Sequence, residues 1–283
     1  MKRRHGRVNP FWMNRLIWLL LLAALILQAT AQAYAQELLK VYYVRHAEAG
    51  HNVLKEWQDK PKDQWPAYVG HPYMFTPKGE KQVAALAEQL KGMKFDFIAV
   101  SPTWRTRNTI LPYLKASGQK GELWPELTEA SHVPVEWTAL DAKVRPPSPK
   151  LFEGKPDDAL PEAEQPFFTF RDKNRNQVDT TADDKDQQIA NSVALAQKTI
   201  DQLKTRFGHT NKSVLLIGHG DSGSTLLRML TTSKELMTGL KNTGLWMAQE
   251  QADGTFQLKI LNGKPYVATP APAATSPALP TPP

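Results

Sequence analysis

The chain predicts a three-layer α/β/α sandwich with a mostly parallel central sheet, and two observations predict it. Short β-rich apolar runs alternate with stretches of helical periodicity, the pattern that covers both faces of a parallel sheet with helices. Three of those runs also stop abruptly at polar residues able to do chemistry, as strands do at the edge where such sheets bind ligands.

Leu39 to Val44 reads as the first strand and runs straight into Arg45 and His46. "TPKGEKQVAALAEQLKGM" sets Val83, Leu86, Ala87 and Leu90 at helical spacing, with Thr76 as N-cap and Pro77 in the first turn. "FDFIAVS" is a short strand leading through Pro102 into the helical "TWRTRNTILPYLKASG". The stretch from Ala130 to Lys185 reads as an irregular, proline-rich inserted lid region. It holds more acids than bases, which argues against a polyphosphorylated substrate.

A long helix over Asp186 to Phe207 is expected next, then the strand "SVLLIG" and a helix from Ser222 to Leu230 with Ser222 as its N-cap. "GLWMAQE" and "TFQLKIL", joined through "QADG", form a closing hairpin.

Three segments are expected: 1–35, a folded domain over 37–268, and 269–283. The first has a basic start, an apolar run from Leu16 to Leu27 and then "ATAQAYAQ", the layout of a signal peptide cut after Ala33 or Ala35. An uncleaved anchor is the alternative, and it would be the chain's one membrane contact. Lys2, Arg3, Arg4, Arg7 and Arg15 precede the first acid, Glu37, and carry most of the formal net charge of +7. The basic balance therefore belongs to targeting and makes no case for nucleic acid. The 269–283 tail, rich in proline and alanine, reads as disordered linker. The chain has no cysteine, so its stability rests on the core and a cysteine nucleophile is excluded.

The strand ends carry the functional argument. They deliver Arg45 and His46, then Ser101 with Arg105 one turn into the next helix, then Gly218-His219-Gly220. Two imidazoles and two guanidiniums converging on one cleft repel one another unless an anion lies between them. A phosphate dianion fits, its oxygens matched bidentately by arginine forks.

With those residues in place the chain resembles the histidine phosphatase superfamily, also called phosphoglycerate mutase-like, over roughly Leu39 to Leu261. "RHAEAGHN" is similar to the family's Arg-His-Gly stretch, with Ala47 in the glycine's position and Asn52 as the following asparagine. "FTPKGEKQ", "SPTWRTRNT", "ELTE" and "IGHGDS" resemble its later landmarks in family order. The resemblance implies His46 as nucleophile, carrying a phosphohistidine. It implies Arg45, Arg105 and His219 as stabilisers of the transferring oxygens, Asn52 as a further phosphate contact and Glu129 as proton donor.

Glu126 and Glu136 stay open as the acid. No cofactor and no metal is implied, the substrate is a small phosphate ester, and the place of work is periplasmic or secreted. A phosphate-binding protein without turnover and a phosphoglycerate mutase-type transferase are the rivals. Oligomeric state is not readable.

Two other features are read as incidental. "GHGDSGS" misses the Gly-x-Ser-x-Gly elbow of serine hydrolases, and the Asp184-x-Asp186 pair follows no strand. His51, His71, His132 and His209 lack metal-ligand spacing and read as loop or surface residues. The rings Trp57, Trp65, Tyr68, Tyr73 and Phe75 lie just after the nucleophile and either frame the site or pack their own loop.

Overall fold

A computed structural model describes residues 38–134, 148–152, 160–171, 177–232 and 240–267. The expectations for 1–35 and 269–283, and Glu136, lie outside the described residues. None of the described helices is long and apolar enough to cross a membrane.

Eight strands form one sheet: β1 (Lys40–Arg45), β2 (Phe97–Val100), β3 (Gly121–Leu123), β4 (Phe168–Phe170), β5 (Ser213–Gly218), β6 (Leu245–Glu250), β7 (Phe256–Leu261) and β8 (Lys264–Pro265). Their order is β4-β3-β2-β5-β1-β6-β7-β8. From β4 to β1 every pairing is parallel, and β6, β7 and β8 continue antiparallel. The expected closing hairpin is the β6–β7 pair.

Strand periodicity divides the core into two layers. Val41, Tyr43, Val214 and Leu216 face one side, where Ile200 and Leu203 of helix α3 (Lys185–Phe207) and Leu226 and Leu230 of helix α4 (Gly220–Thr231) pack on them. Val44, Leu215 and Ile217 face the other, against Leu86 and Leu90 of α1 (Pro77–Leu90) and Ile110 and Leu114 of α2 (Trp104–Ser117). Val214 to Ile217 are fully buried, so β5 is the centre of the sandwich and is apolar on both faces for that reason.

The start of α1 is as read from the sequence. Thr76 Oγ1 accepts from the Gly79 N–H at 3.0 Å and Pro77 takes the first position. Asp184 caps α3 through the Asp186 N–H at 2.9 Å, which accounts for one member of the Asp-x-Asp pair.

Two expectations are corrected. The region beyond Ala130 contributes an edge strand, β4, beside the unforeseen β3; at three residues each, neither is long enough to show alternation. Helix α4 begins at Gly220 with His219 in the N-cap position, so Ser222 is not the cap. Ser222 Oγ instead donates to the Thr128 carbonyl at 2.8 Å and accepts from the Ala130 N–H at 3.1 Å. It ties the segment around Glu129 to α4.

Candidate active site

The three central strands end level with one another. Arg45 is in register with Gly218, and Val100 with Ile217. The His46 N–H bonds the Gly218 carbonyl at 2.9 Å and the Ser101 N–H bonds the Ile217 carbonyl at 2.9 Å. His46, Ser101 and His219 therefore leave the sheet side by side at its carboxyl edge, where helix N-termini also point.

His46 is fully buried, and its ring lies 5.2 Å from that of His219, centroid to centroid. Nδ1 contacts the Ala47 carbonyl at 2.7 Å. A carbonyl only accepts, so Nδ1 carries the proton and Nε2 bears the lone pair. Nε2 is buried and has no hydrogen-bond partner. Burial, reinforced by Arg105, Arg45 and His51, pushes the ring's pKa down to about 3, against the raising effect of the Ala47 carbonyl. The imidazole is thus a free base with its nucleophilic nitrogen unengaged.

His219 is equally buried. An Arg105 terminal nitrogen donates to Nδ1 at 3.3 Å, which leaves the proton on Nε2, 3.0 Å from Ser101 Oγ. Burial first, then His46 and Arg105, hold this ring well below the ordinary histidine range. Its backbone is gripped by Tyr43, whose hydroxyl accepts from the His219 N–H at 2.7 Å and donates to the His219 carbonyl at 2.9 Å.

Two glycines make these approaches possible. A Cβ at Gly218 would come within 2.2 Å of the Tyr43 hydroxyl, and one at Gly220 within 3.1 Å of the Arg45 guanidinium.

Arg45 donates to the Leu240 carbonyl at 2.7 Å, and its Nε is buried without a partner. Arg105, the second residue of α2, is buried and also has an unpartnered Nε. Its terminal nitrogen pairs with the half-exposed Glu129 carboxylate. One oxygen of Glu129 and one ring nitrogen each of His46 and His219 lie within 4.8 Å of one another. Two histidines and a carboxylate can hold a divalent ion, but fixed guanidinium charges beside them favour an anion at the centre.

Of the sequence-derived residues, Arg45, His46, Arg105, Glu129 and His219 come together. Glu126 does not: it is buried under Arg171, which donates to its two oxygens at 2.7 and 2.9 Å. Asn52 sits in the 3-10 turn Gly50–Val53 that follows the nucleophile. Its Oδ1 accepts from the Ala49 N–H at 3.0 Å and its Nδ2 lies 3.1 Å from His51 Nε2.

His51 corrects the sequence reading. It is half-buried with its ring 5.6 Å from that of His46. Because Ala49 fixes the Asn52 amide, Nδ2 donates to His51 Nε2 and the proton of neutral His51 lies on Nδ1, a buried donor without a partner. His71, His132 and His209 are exposed, as expected.

Two rings of the aromatic loop make contacts within it, and a third packs on α2. Phe75 packs on Trp104 at 4.8 Å, Lys60 lies 3.9 Å over the Trp57 ring and Trp65 Nε1 donates to the Lys60 carbonyl at 3.0 Å.

Fold and site together define an α/β protein with a buried, neutral and unengaged histidine beside two guanidiniums at the carboxyl edge of the sheet. The chain belongs to the histidine phosphatase superfamily (branch 1), whose description it matches over residues 41–262. Among curated proteins none matches.

Solved structures similar to it include phosphoserine phosphatase from Entamoeba histolytica in complex with 3-phosphoglyceric acid, at 21% identity over 79% of this chain and 96% of that one, TM-score 0.46. Mycobacterial glucosyl-3-phosphoglycerate phosphatase is similar at 14% identity over 80% and 100%, TM-score 0.47. Mycobacterial hydrolase 2 is similar at 12% over 82% and 94%, TM-score 0.49.

Proposed function

We propose that the protein is a phosphomonoester hydrolase working through a phosphohistidine on His46, without a metal. One observation carries the reading: a buried, uncharged imidazole whose Nε2 lone pair is unengaged among Arg45, Arg105 and His219.

In the first step Nε2 attacks phosphorus and the P–O bond to the leaving group breaks. Glu129 gives its proton to the departing oxygen, and an alcohol is released. In the second step water attacks the phosphohistidine and loses a proton to the Glu129 carboxylate. The P–N bond breaks, freeing inorganic phosphate and His46. Phosphoryl transfer of this kind needs mainly in-line placement and fixed positive charge at the equatorial oxygens. Arg45 and Arg105 supply that charge, with neutral His219, Asn52 and the Nδ1–H of His51 as further contacts.

The layout of residues 1–35 supports an exported enzyme, periplasmic or secreted, by cleavage of a signal peptide. A small phosphate ester is the partner this site suits.

The test is turnover of p-nitrophenyl phosphate by the purified protein in the presence of a chelator, against His46→Ala. The reading expects turnover that resists the chelator and is lost in the variant. Equal rates for both proteins favour a phosphate-binding protein, and activity restored by one divalent ion rejects the metal-free scheme.

A further inference from the structure

A cavity of about 290 Å³ is lined by Glu129, Ser131, Thr180, Gln188, Asn191 and Ser192, with Ala130 completing it. We infer that this cavity is the leaving-group subsite and receives an uncharged, hydroxyl-rich group, so that the substrate is the phosphomonoester of a sugar or polyol. The inference rests on the phosphatase reading above.

Position comes first. In-line transfer puts the leaving oxygen on the far side of phosphorus from the His46 nitrogen. The group that protonates it must be within hydrogen-bond reach. Glu129 belongs both to the phosphoryl hollow, within 4.8 Å of the imidazole nitrogens, and to the cavity wall. Whatever is bonded to the leaving oxygen next to Glu129 therefore enters this cavity.

The lining then selects the chemistry. Among the described residues that form it there is no lysine, arginine or aromatic ring. Those residues thus offer no partner for a second anion and no face for stacking a base. Ser131 Oγ donates to Gln188 Oε1 at 3.2 Å and Ser192 Oγ to the Gln188 carbonyl at 2.9 Å, and each hydroxyl oxygen keeps acceptor capacity.

Asn191, 1% exposed, supplies the opposite polarity. Its Oδ1 takes the Ser148 N–H at 2.8 Å and Gln187 Nε2 at 3.1 Å, while Nδ2 is a buried donor with no partner. A buried unmet donor on one lining residue and spare acceptor capacity on two others are matched by hydroxyls, which do both. The volume, at the small end of the ~300–1,000 Å³ usual for small-molecule sites, suits one ring or a short polyol.

The test compares kcat/KM of the full chain for a hexose 6-phosphate, glycerol phosphate, a nucleoside monophosphate, phosphoserine and p-nitrophenyl phosphate. The sugar and polyol esters are expected to exceed the nucleotide and the amino-acid ester by about tenfold or more, the worth of one well-made hydrogen bond. Asn191→Asp keeps the oxygen that holds Ser148 and removes the donor. It and Thr180→Val are each expected to lower the ratio of hexose phosphate to p-nitrophenyl phosphate efficiency by about tenfold.

A preference for the nucleotide or phosphoserine, or an unchanged ratio in both variants, overturns the subsite and leaves the phosphatase reading standing. If the wild-type chain hydrolyses none of these esters, the phosphatase reading falls and the leaving-group subsite falls with it.

Discussion

The Tyr43 hydroxyl clasps the backbone of His219 from both sides, accepting its N–H at 2.7 Å and donating to its carbonyl at 2.9 Å. One strand thereby holds the second imidazole of the site that the next strand delivers. Tyr43 is fully buried, and burial raises its pKa far above the usual tyrosine value, so the hydroxyl stays protonated and able to donate. In Tyr43→Phe the His219 N–H and carbonyl lose this partner inside the core. The expected result is a loss of ~1–3 kcal/mol in urea unfolding, with kcat falling more than KM changes. Unaltered stability would mean that another group takes over the clasp.

Glu129→Gln separates the acid from the rest of the site. If Glu129 protonates the leaving oxygen, the loss should scale with how badly that oxygen needs a proton. Roughly 10²–10⁴-fold is expected on an alkyl phosphate, and much less on p-nitrophenyl phosphate, whose phenolate leaves unaided. Equal losses on both esters would assign Glu129 to positioning Arg105, with which it pairs.

His51→Phe keeps a ring beside His46 and removes the Nδ1 donor. A hydrogen bond to a charged oxygen is worth about 1.5–3 kcal/mol, so the inhibition constant of inorganic phosphate should rise by roughly tenfold to a hundredfold. Unchanged phosphate affinity would make His51 a packing residue for Asn52.

Stability should fall with acid in a defined window. The His46 ring takes its proton near pH 6.5 when unfolded and near pH 3 when folded, because of its burial. The unfolded chain binds the extra proton between those values. The stabilising difference is therefore fully present above about pH 6.5 and is lost as pH falls toward 3, at ~1.4 kcal/mol per pH unit for one ring. His219 and His51 are shifted the same way and steepen the fall. Urea midpoints should decline over this range in the wild type and less steeply in His46→Asn. Identical slopes would contradict the assignment.

The legible part of this structure was the part that burial dictates. β1, β2 and β5 show as apolar runs because they lie at the sheet centre, and Thr76 and Pro77 mark the start of α1 through local capping chemistry. The strand ends then gave Arg45, His46, Arg105 and His219 by position, while Glu129 came only through resemblance. Three things were not legible.

β3 and β4 are too short for periodicity, and their placement depends on long-range pairing, β3 with β2 and β4 with β3. Ser222 looked like a cap because the helix gained two residues from the turn after His219. His51 looked like any loop histidine. Its place beside His46 is fixed by long-range backbone bonds, Gly50 N–H to the Met74 carbonyl at 2.9 Å and Gly70 N–H to the Gly50 carbonyl at 3.0 Å. No local pattern encodes those bonds.

The most direct measurement is rapid acid and base quenching of the wild-type chain turning over a radiolabelled phosphate ester, followed by peptide mapping. A label that survives base, is lost in acid and maps to His46 is the predicted result. A pre-steady-state burst without protein-bound label, or a label on another side chain, would contradict the account.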